Sequence, residues 1–162
     1  KHQIDPDRVQ TIAVRVGTHE ASVVDNREIP DINLQHMMAV MLMDKTVTFK
    51  TAHDEARMRD AATLKHRAKV SIAGDDAFER LLPKRVASVE VTFNDGMALS
   101  ERVDTVRGTS GNPMPREEVI EKARDLIVPV LGAEKFQRLT AAIFGLENVK
   151  NVLELRPLLQ KA

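Results

Sequence analysis

The chain has 162 residues, 43% of them hydrophobic and 30% charged, which is the balance of a soluble globular protein with room for one medium domain, or a small domain with an appendage. Lys plus Arg equals Asp plus Glu at 24 each, and there is no Trp or Tyr and only five Phe, so neither a one-signed field nor a stacking platform favours nucleic acid. Cysteine is absent, which removes disulfides, thiol catalysis, iron–sulfur clusters and Cys-based zinc sites together.

The longest uncharged apolar run, Ile32–Met43, is far shorter than the roughly 20 residues a membrane span needs, so no membrane partner is expected. No signal peptide opens the chain, and a cytoplasmic location is expected. The chain begins at Lys1 without Met, as a processed chain or an excised fragment would.

In chain order, Ile4-Asp5-Pro6-Asp7 reads as a turn. Val9–Val16 alternates, with Ile12, Val14 and Val16 on one face, and predicts a strand ended by Gly17. Thr18–Asp25 predicts a short helix with Thr18 as N-cap. Pro30–Lys45 is the organising stretch. Leu34, Met37, Met38, Met41 and Leu42 recur at helical spacing, and Ile32, Ala39, Val40 and Met43 fill most of the other flank. A helix apolar nearly all round is buried on more than one side. Asp31 is its expected N-cap. Asn33, Gln35 and His36 crowd its first turn and must find partners or face a cavity.

Val47 and Phe49 make at most a short extended piece. His53–Arg59 and Asp60–His66 are helical in propensity, and Arg67–Ala73 predicts a strand around Val70 and Ile72. Asp75–Leu82 gives a helical turn or two, stopped by Pro83. Val86–Phe93 and Met97–Val106 flank Asn94-Asp95-Gly96 and predict a hairpin with Leu99 and Val103 inward. Arg107–Met114 is a loop. Pro115 suits the first position of a helix whose stripe runs from Val119 to Val130. Glu134–Phe144 repeats the pattern, and Asn148–Leu155 gives a third helix before Pro157. The fold class expected is α+β: a two-layer α/β sandwich over residues 1–112, then a helical segment over residues 113–162.

Among the chemistry-bearing residues, His36 is the candidate acid/base, because imidazole titrates near neutrality. The plainer reading is a core histidine satisfied by backbone. Asn33, one turn earlier, is a candidate substrate contact. Arg107-Gly108-Thr109-Ser110-Gly111 resembles an anion cradle with Arg107 as its cation, although it matches neither the P-loop nor the dinucleotide fingerprint. The plainer reading is a connecting loop. The five histidines form no HxxxH or His-x-Glu pair, so no metal site is expected. The Met-rich stripe reads as core packing, or else as an adaptable partner surface.

Three stretches together resemble the C-terminal part of the MmgE/PrpD family, which includes 2-methylcitrate dehydratase, cis-aconitate decarboxylase and iminodisuccinate epimerase. They are NREIPDINLQHMMAVMLMDKTVTF (Asn26–Phe49), VEVTFNDGMALSERVDTVRGTSGNPM (Val89–Met114) and EEVIEKARDLIVPVLG (Glu117–Gly132). No one stretch is diagnostic; their order and spacing carry the resemblance. It implies a large helical domain and a smaller α/β lid with the active site between them, and acid/base chemistry beside a carboxylate-bearing carbon without metal, iron–sulfur cluster or other cofactor. The resemblance implies that most of the family's catalytic His, Asp and Lys residues lie in the helical domain and the segment leading into the lid, and nothing here matches them. Members commonly open the lid helix with a Phe-Ser-Leu-Pro-Tyr-like run whose tyrosine reaches the active site. This chain has Ile32–His36 there, so His36 takes the tyrosine's place.

The resulting expectation is the lid and C-terminal helices of a lyase or epimerase acting on a small polycarboxylate. His36 would be catalytic, and Asn33 and Arg107 would bind substrate. The fragment would be inactive without the N-terminal helical domain of its own chain, in a homodimeric enzyme. The rival is a non-enzymatic α/β binding or dimerisation module joined through Met37 and Met41.

Overall fold

The computed structural model describes residues 3–161. Two compact units share the chain, Lys1–Asn112 and Pro113–Ala162. The first is a four-stranded mixed sheet with helices packed against it, and the second is helical, so the fold class is α+β.

Strand β1 (Val9–Gly17) is central. It pairs in parallel with β2 (Val70–Asp75) and antiparallel with β3 (Ala87–Phe93), which pairs antiparallel with β4 (Ala98–Val103). The sheet order is therefore β2-β1-β3-β4. A register shift between Val9 and Thr11 resets the alternation, so Val9 and Ile12 are both buried although three residues apart. The core face carries Ile12, Val14, Val70 and Val91, with Val89 and Leu99 half-buried beside them. The other face carries Ala13, Arg15, Ser71, Glu90, Ser100 and Arg102, all exposed. That one-sided pattern is what alternating strands produce when a single helical layer covers them.

The hairpin forms where the Asn-Asp-Gly turn places it. Gly96 takes φ +83°, Phe93 N donates to Met97 O at 2.8 Å, and Asp95 Oδ1 accepts from Met97 N at 3.0 Å. Arg8 Nη2 donates to Asp95 Oδ2 at 2.8 Å and ties the turn to the start of β1. One hairpin expectation fails: Val103 is 44% exposed, because β4 is an edge strand and its last residue runs past the covering helix layer.

Helix α1 (Thr18–Val24) follows β1 directly. Its N-cap is Gly17, not Thr18; the Thr18 hydroxyl instead donates to Asp76 Oδ1. Pro30–Ile32 forms one 3-10 turn, and helix α2 (Leu34–Asp44) begins after it. Asn33, not Asp31, is the cap of α2, since its Oδ1 accepts from His36 N at 2.8 Å. Lys45 ends α2 in the left-handed region at φ 61°. Leu34, Met38 and Leu42 pack on the sheet. Ala39 and Val40 are 0% exposed, and Met41 is 43% exposed. So α2 is buried over most of its circumference, although Met41, expected in the core, looks outward.

Phe49 lies in no extended piece. Thr48 and Thr51 form a reciprocal capping box that opens helix α3 (Phe49–Ala52). A 3-10 segment (Glu55–Arg59) and helix α4 (Ala61–Arg67) come next, the latter capped by Asp60 through Thr63 N at 2.8 Å. Helix α4 packs against α2. Asp75 caps the single turn α5 (Asp76–Glu79), and the Leu82–Pro83 bond is cis.

In the second unit α6 (Arg116–Leu131) starts after Pro115, which is its N-cap rather than its first helical residue, and runs through Pro129 to Gly132. Helix α7 (Ala133–Phe144) buries Phe136 and Leu139, and the Arg124 guanidinium of α6 lies 4.9 Å from the Phe136 ring centroid. Two 3-10 turns, Leu146–Asn148 and Val152–Leu155, replace the expected third helix. Pro157 then opens helix α8 (Arg156–Leu159) instead of ending one, since its fixed φ suits a first turn. Leu155 and Leu158 close a small core with Leu139.

Gly74, near the end of β2, marks a close approach to backbone. A Cβ there would stand 2.9 Å from Thr18 Cα, a backbone atom that cannot swing aside. Gly74→Ala should therefore cost about 1–3 kcal/mol of stability by overpacking. Urea unfolding of the full chain checks this, and an unchanged midpoint would contradict the close approach.

Candidate active site

The polar first turn of α2 is held by the segment at residues 25–27. Asn26 sits at φ 45° in the left-handed region, and its N–H donates to Gln35 Oε1 at 3.0 Å. Gln35 Nε2 donates to Asp25 Oδ1. Asn33 Nδ2 donates to Arg27 O, while its Oδ1 serves the helix cap. Arg27 in turn donates from Nε to Val23 O at 2.5 Å and from Nη2 to Ser22 O at 2.7 Å, which satisfies the last carbonyls of α1. Two of the three polar side chains of the turn are thus fully engaged.

The third is His36. Its side chain is 0% exposed, and neither Nδ1 nor Nε2 has a hydrogen-bond partner. Two residues from Met38 along a helix is about 200° of rotation, so the ring is on the side of α2 away from the sheet. Burial pushes its pKa below the usual histidine value, and the positive charges of Arg67 and Arg57 push it further down against the opposing pull of Asp54. Both arginines are fixed in place: Arg67 Nη2 donates to Asn26 Oδ1 at 3.2 Å, and Arg57 forks onto the Asp44 carboxylate, with Nη2–Oδ1 at 3.1 Å. The result is a neutral imidazole enclosed by its own unit.

Neither simple expectation for this turn is met. Asn33 and His36 do not face an opening, since both are 0% exposed, and His36 is not a core histidine satisfied by backbone. Asn33 spends both ends of its amide inside the fold. The structure holds a second buried imidazole that the sequence pattern does not mark. His66, near the end of α4, is 6% exposed and its Nδ1 has no partner. Burial lowers its pKa first, then Lys69 and Lys65, with Asp7 opposing. The signal available was a histidine in the last turn of a short helix otherwise flanked by Lys65 and Arg67, which reads equally well as a solvated basic end.

Arg107 stands elsewhere, in the loop after β4. Its Nη1 donates to Asn112 Oδ1 at 2.8 Å. Gly108 N donates to Asn112 O at 2.8 Å and Asn112 N to Thr109 O at 3.0 Å, so amides that an anion cradle would offer are spent closing the loop. Among the described residues no group of three His, Asp or Glu side chains is placed to hold a metal ion. No helix among them is long and apolar enough to cross a membrane.

A four-stranded mixed sheet, a buried helix with a polar first turn and a second, helical unit define an α+β protein. The family model described as the MmgE/PrpD C-terminal domain matches residues 1–148, and the chain belongs to that family. A search of curated proteins returned no match.

The two buried imidazoles set a pH dependence. Both are held below 6.5 in the fold, whereas in the unfolded chain they bind protons near that value. The unfolded state then takes up protons that the folded state refuses, so stability is full above about pH 6.5 and falls as pH drops toward the folded-state values. Urea midpoints at pH 8, 6.5 and 5 should decline in that order. His36→Leu should flatten the decline, and it should cost little at pH 8 because it removes an unpartnered polar group.

Proposed function

We propose that this chain is the smaller-domain part of a lyase or epimerase acting on a small polycarboxylate, by proton transfer at a carbon beside a carboxylate. Membership of the MmgE/PrpD family, which includes dehydratases and other lyases, supports the class. The second unit leaves Val152 and Leu153 70% and 65% exposed, with Val130 and Ile143 also open, as expected where a further helical body of the same chain covers it. A homodimeric enzyme is proposed on the family reading.

The single observation that carries the residue assignment is His36: an enclosed neutral imidazole with two unpartnered nitrogens at the head of α2. A neutral ring can take a proton, and its lowered pKa keeps it in that form at neutral pH. Contact with a substrate requires displacement of the segments that cover the first turn of α2, a step of the kind that sets turnover in many closing enzymes. Asn33 holds the ring's helix turn rather than the substrate, and Arg107 remains a candidate for a substrate carboxylate at the loop.

The test is His36→Ala and His36→Gln in the full-length enzyme, assayed on 2-methylcitrate, cis-aconitate and iminodisuccinate. Loss of general acid/base help should lower kcat/KM by about 10²–10⁴, and the acidic limb of the wild-type pH–rate profile should vanish. Wild-type kcat/KM in a folded variant would remove His36 from the mechanism.

A second reading, a non-enzymatic binding or dimerisation module, draws on a different feature. An apolar cleft of about 340 Å³ lies between α2 and the β3–β4 half of the sheet, lined by Met38, Met41, Val89, Val91 and Leu99. Its lysine, Lys45, already donates to Ile4 O and Leu42 O. If two copies meet through this face, Met41→Glu should convert a dimer to a monomer by analytical ultracentrifugation. A dimer that survives Met41→Glu argues against the module.

A further inference from the structure

A separate cleft lies between the turn at residues 83–85 and the loop at residues 105–111, with a volume of about 340 Å³. Lys84 and Arg85 form one wall, and Thr105, Ser110 and Gly111 belong to the other. No aspartate or glutamate lines it. Arg85 Nη1 shares its charge with Glu20 Oε1 at 3.1 Å, whereas Lys84 has no ion pair or side-chain hydrogen bond among the described residues.

The loop wall is prearranged. Asn112 Nδ2 donates to Thr105 O at 3.1 Å, and Asn112 Oδ1 accepts from Arg107 Nη1 at 2.8 Å. Gly111 lies so close to Thr105 that a Cβ would come within 2.9 Å of Thr105 Cγ2. The loop therefore meets a ligand without first having to order itself, which removes much of the entropy cost of binding. One wall brings an uncompensated ammonium and the other brings hydroxyl donors. Two cations set against hydroxyls with no carboxylate between them suit a compact anion with several oxygens.

We infer that this cleft is a binding site for a small multivalent oxyanion, a carboxylate or a phosphate, held by the Lys84 ammonium and the Ser110 hydroxyl. The inference goes beyond the proposed reaction, since it requires neither His36 nor turnover. Lys84 supplies the charge, Arg85 adds what Glu20 leaves of its own, and Ser110 donates a hydrogen bond from the rigid loop. This arrangement differs from a cradle built on Arg107, whose guanidinium is turned to Asn112.

Isothermal titration of the full chain with citrate and, separately, with inorganic phosphate tests the site, with sodium chloride at matched ionic strength as the control. Saturable binding is expected for at least one of the two anions, and which one binds tighter assigns the oxyanion as carboxylate or phosphate. Lys84→Ala should weaken it by roughly tenfold or more and Ser110→Ala by less, because the ammonium adds a full charge–charge attraction to its hydrogen bond and the hydroxyl only a dipole. Lys50→Ala, on the distant α3, and His36→Ala should leave it unchanged, which separates this site from the proposed catalytic one. Circular dichroism checks that each variant is folded. Chloride heats equal to those of both anions, or wild-type affinity in folded Lys84→Ala, would overturn the inference.

Discussion

The burial of α2 on two sides is the constraint from which the rest of the first unit follows. Toward the sheet, Leu34, Met38 and Leu42 cover β1 and β2, and each such side chain is worth about 1.5–3 kcal/mol when fully buried. Away from the sheet, Ala39 and Val40 are sealed where α4 packs. A helix enclosed in this way cannot hydrate its first turn, so its orphan donors and polar side chains must be met by protein. The segment at residues 25–27 does this by bonding Asn33 and Gln35, and it adopts the left-handed conformation at Asn26 in order to reach them. The same segment ends α1 through Arg27. One packing decision therefore fixes the entry to α2, the exit from α1 and the position of Arg67 at once.

Regular elements were legible in the sequence wherever a period repeated. The alternation in Val9–Val16, the Asn-Asp-Gly turn and the stripes of α6 and α7 each state their geometry over several residues. Single-residue assignments fared worse, because a cap or an exposure depends on what lies across the fold. Thr18 does not cap α1 because its hydroxyl is drawn to Asp76, 58 residues on. Asn33 rather than Asp31 caps α2 because a 3-10 turn intervenes and shifts the start. Pro157 can end one helix or begin another with equal chemical ease, and only the packing of Leu155 and Leu158 on Leu139 decides. Met41 carries the right spacing for the core, but the helical layer stops short of β3 and β4, so it lies along an open cleft.

The site was half legible for a related reason. That Asn33, Gln35 and His36 needed partners follows from their place on a buried helix. Which of them would be satisfied depends on the reach of residues 25–27, which carry no periodic signal. That stretch has amide and carbonyl groups for Asn33 and Gln35 and none for the imidazole. The loop carrying Arg107 shows the converse: a glycine-rich sequence suggests open amides, but Asn112 folds back and consumes them.

An imidazole left without partners in a sealed interior is a cost that ordinary packing does not require. Each unsatisfied buried polar group costs about 1–3 kcal/mol, against a total stability of about 5–15 kcal/mol for a domain. A leucine at position 36 would fit the apolar flank formed by Ala39 and Val40 and remove the penalty. Arg57 and Arg67 add to the expense of charging the ring, and each is anchored by its own partner, Asp44 or Asn26, so neither can relax away. The whole neighbourhood keeps His36 neutral and unbonded at neutral pH. Packing alone gives no return for that arrangement. The proton-transfer role proposed for His36 would, because a base is useful only while its nitrogen is free and uncharged.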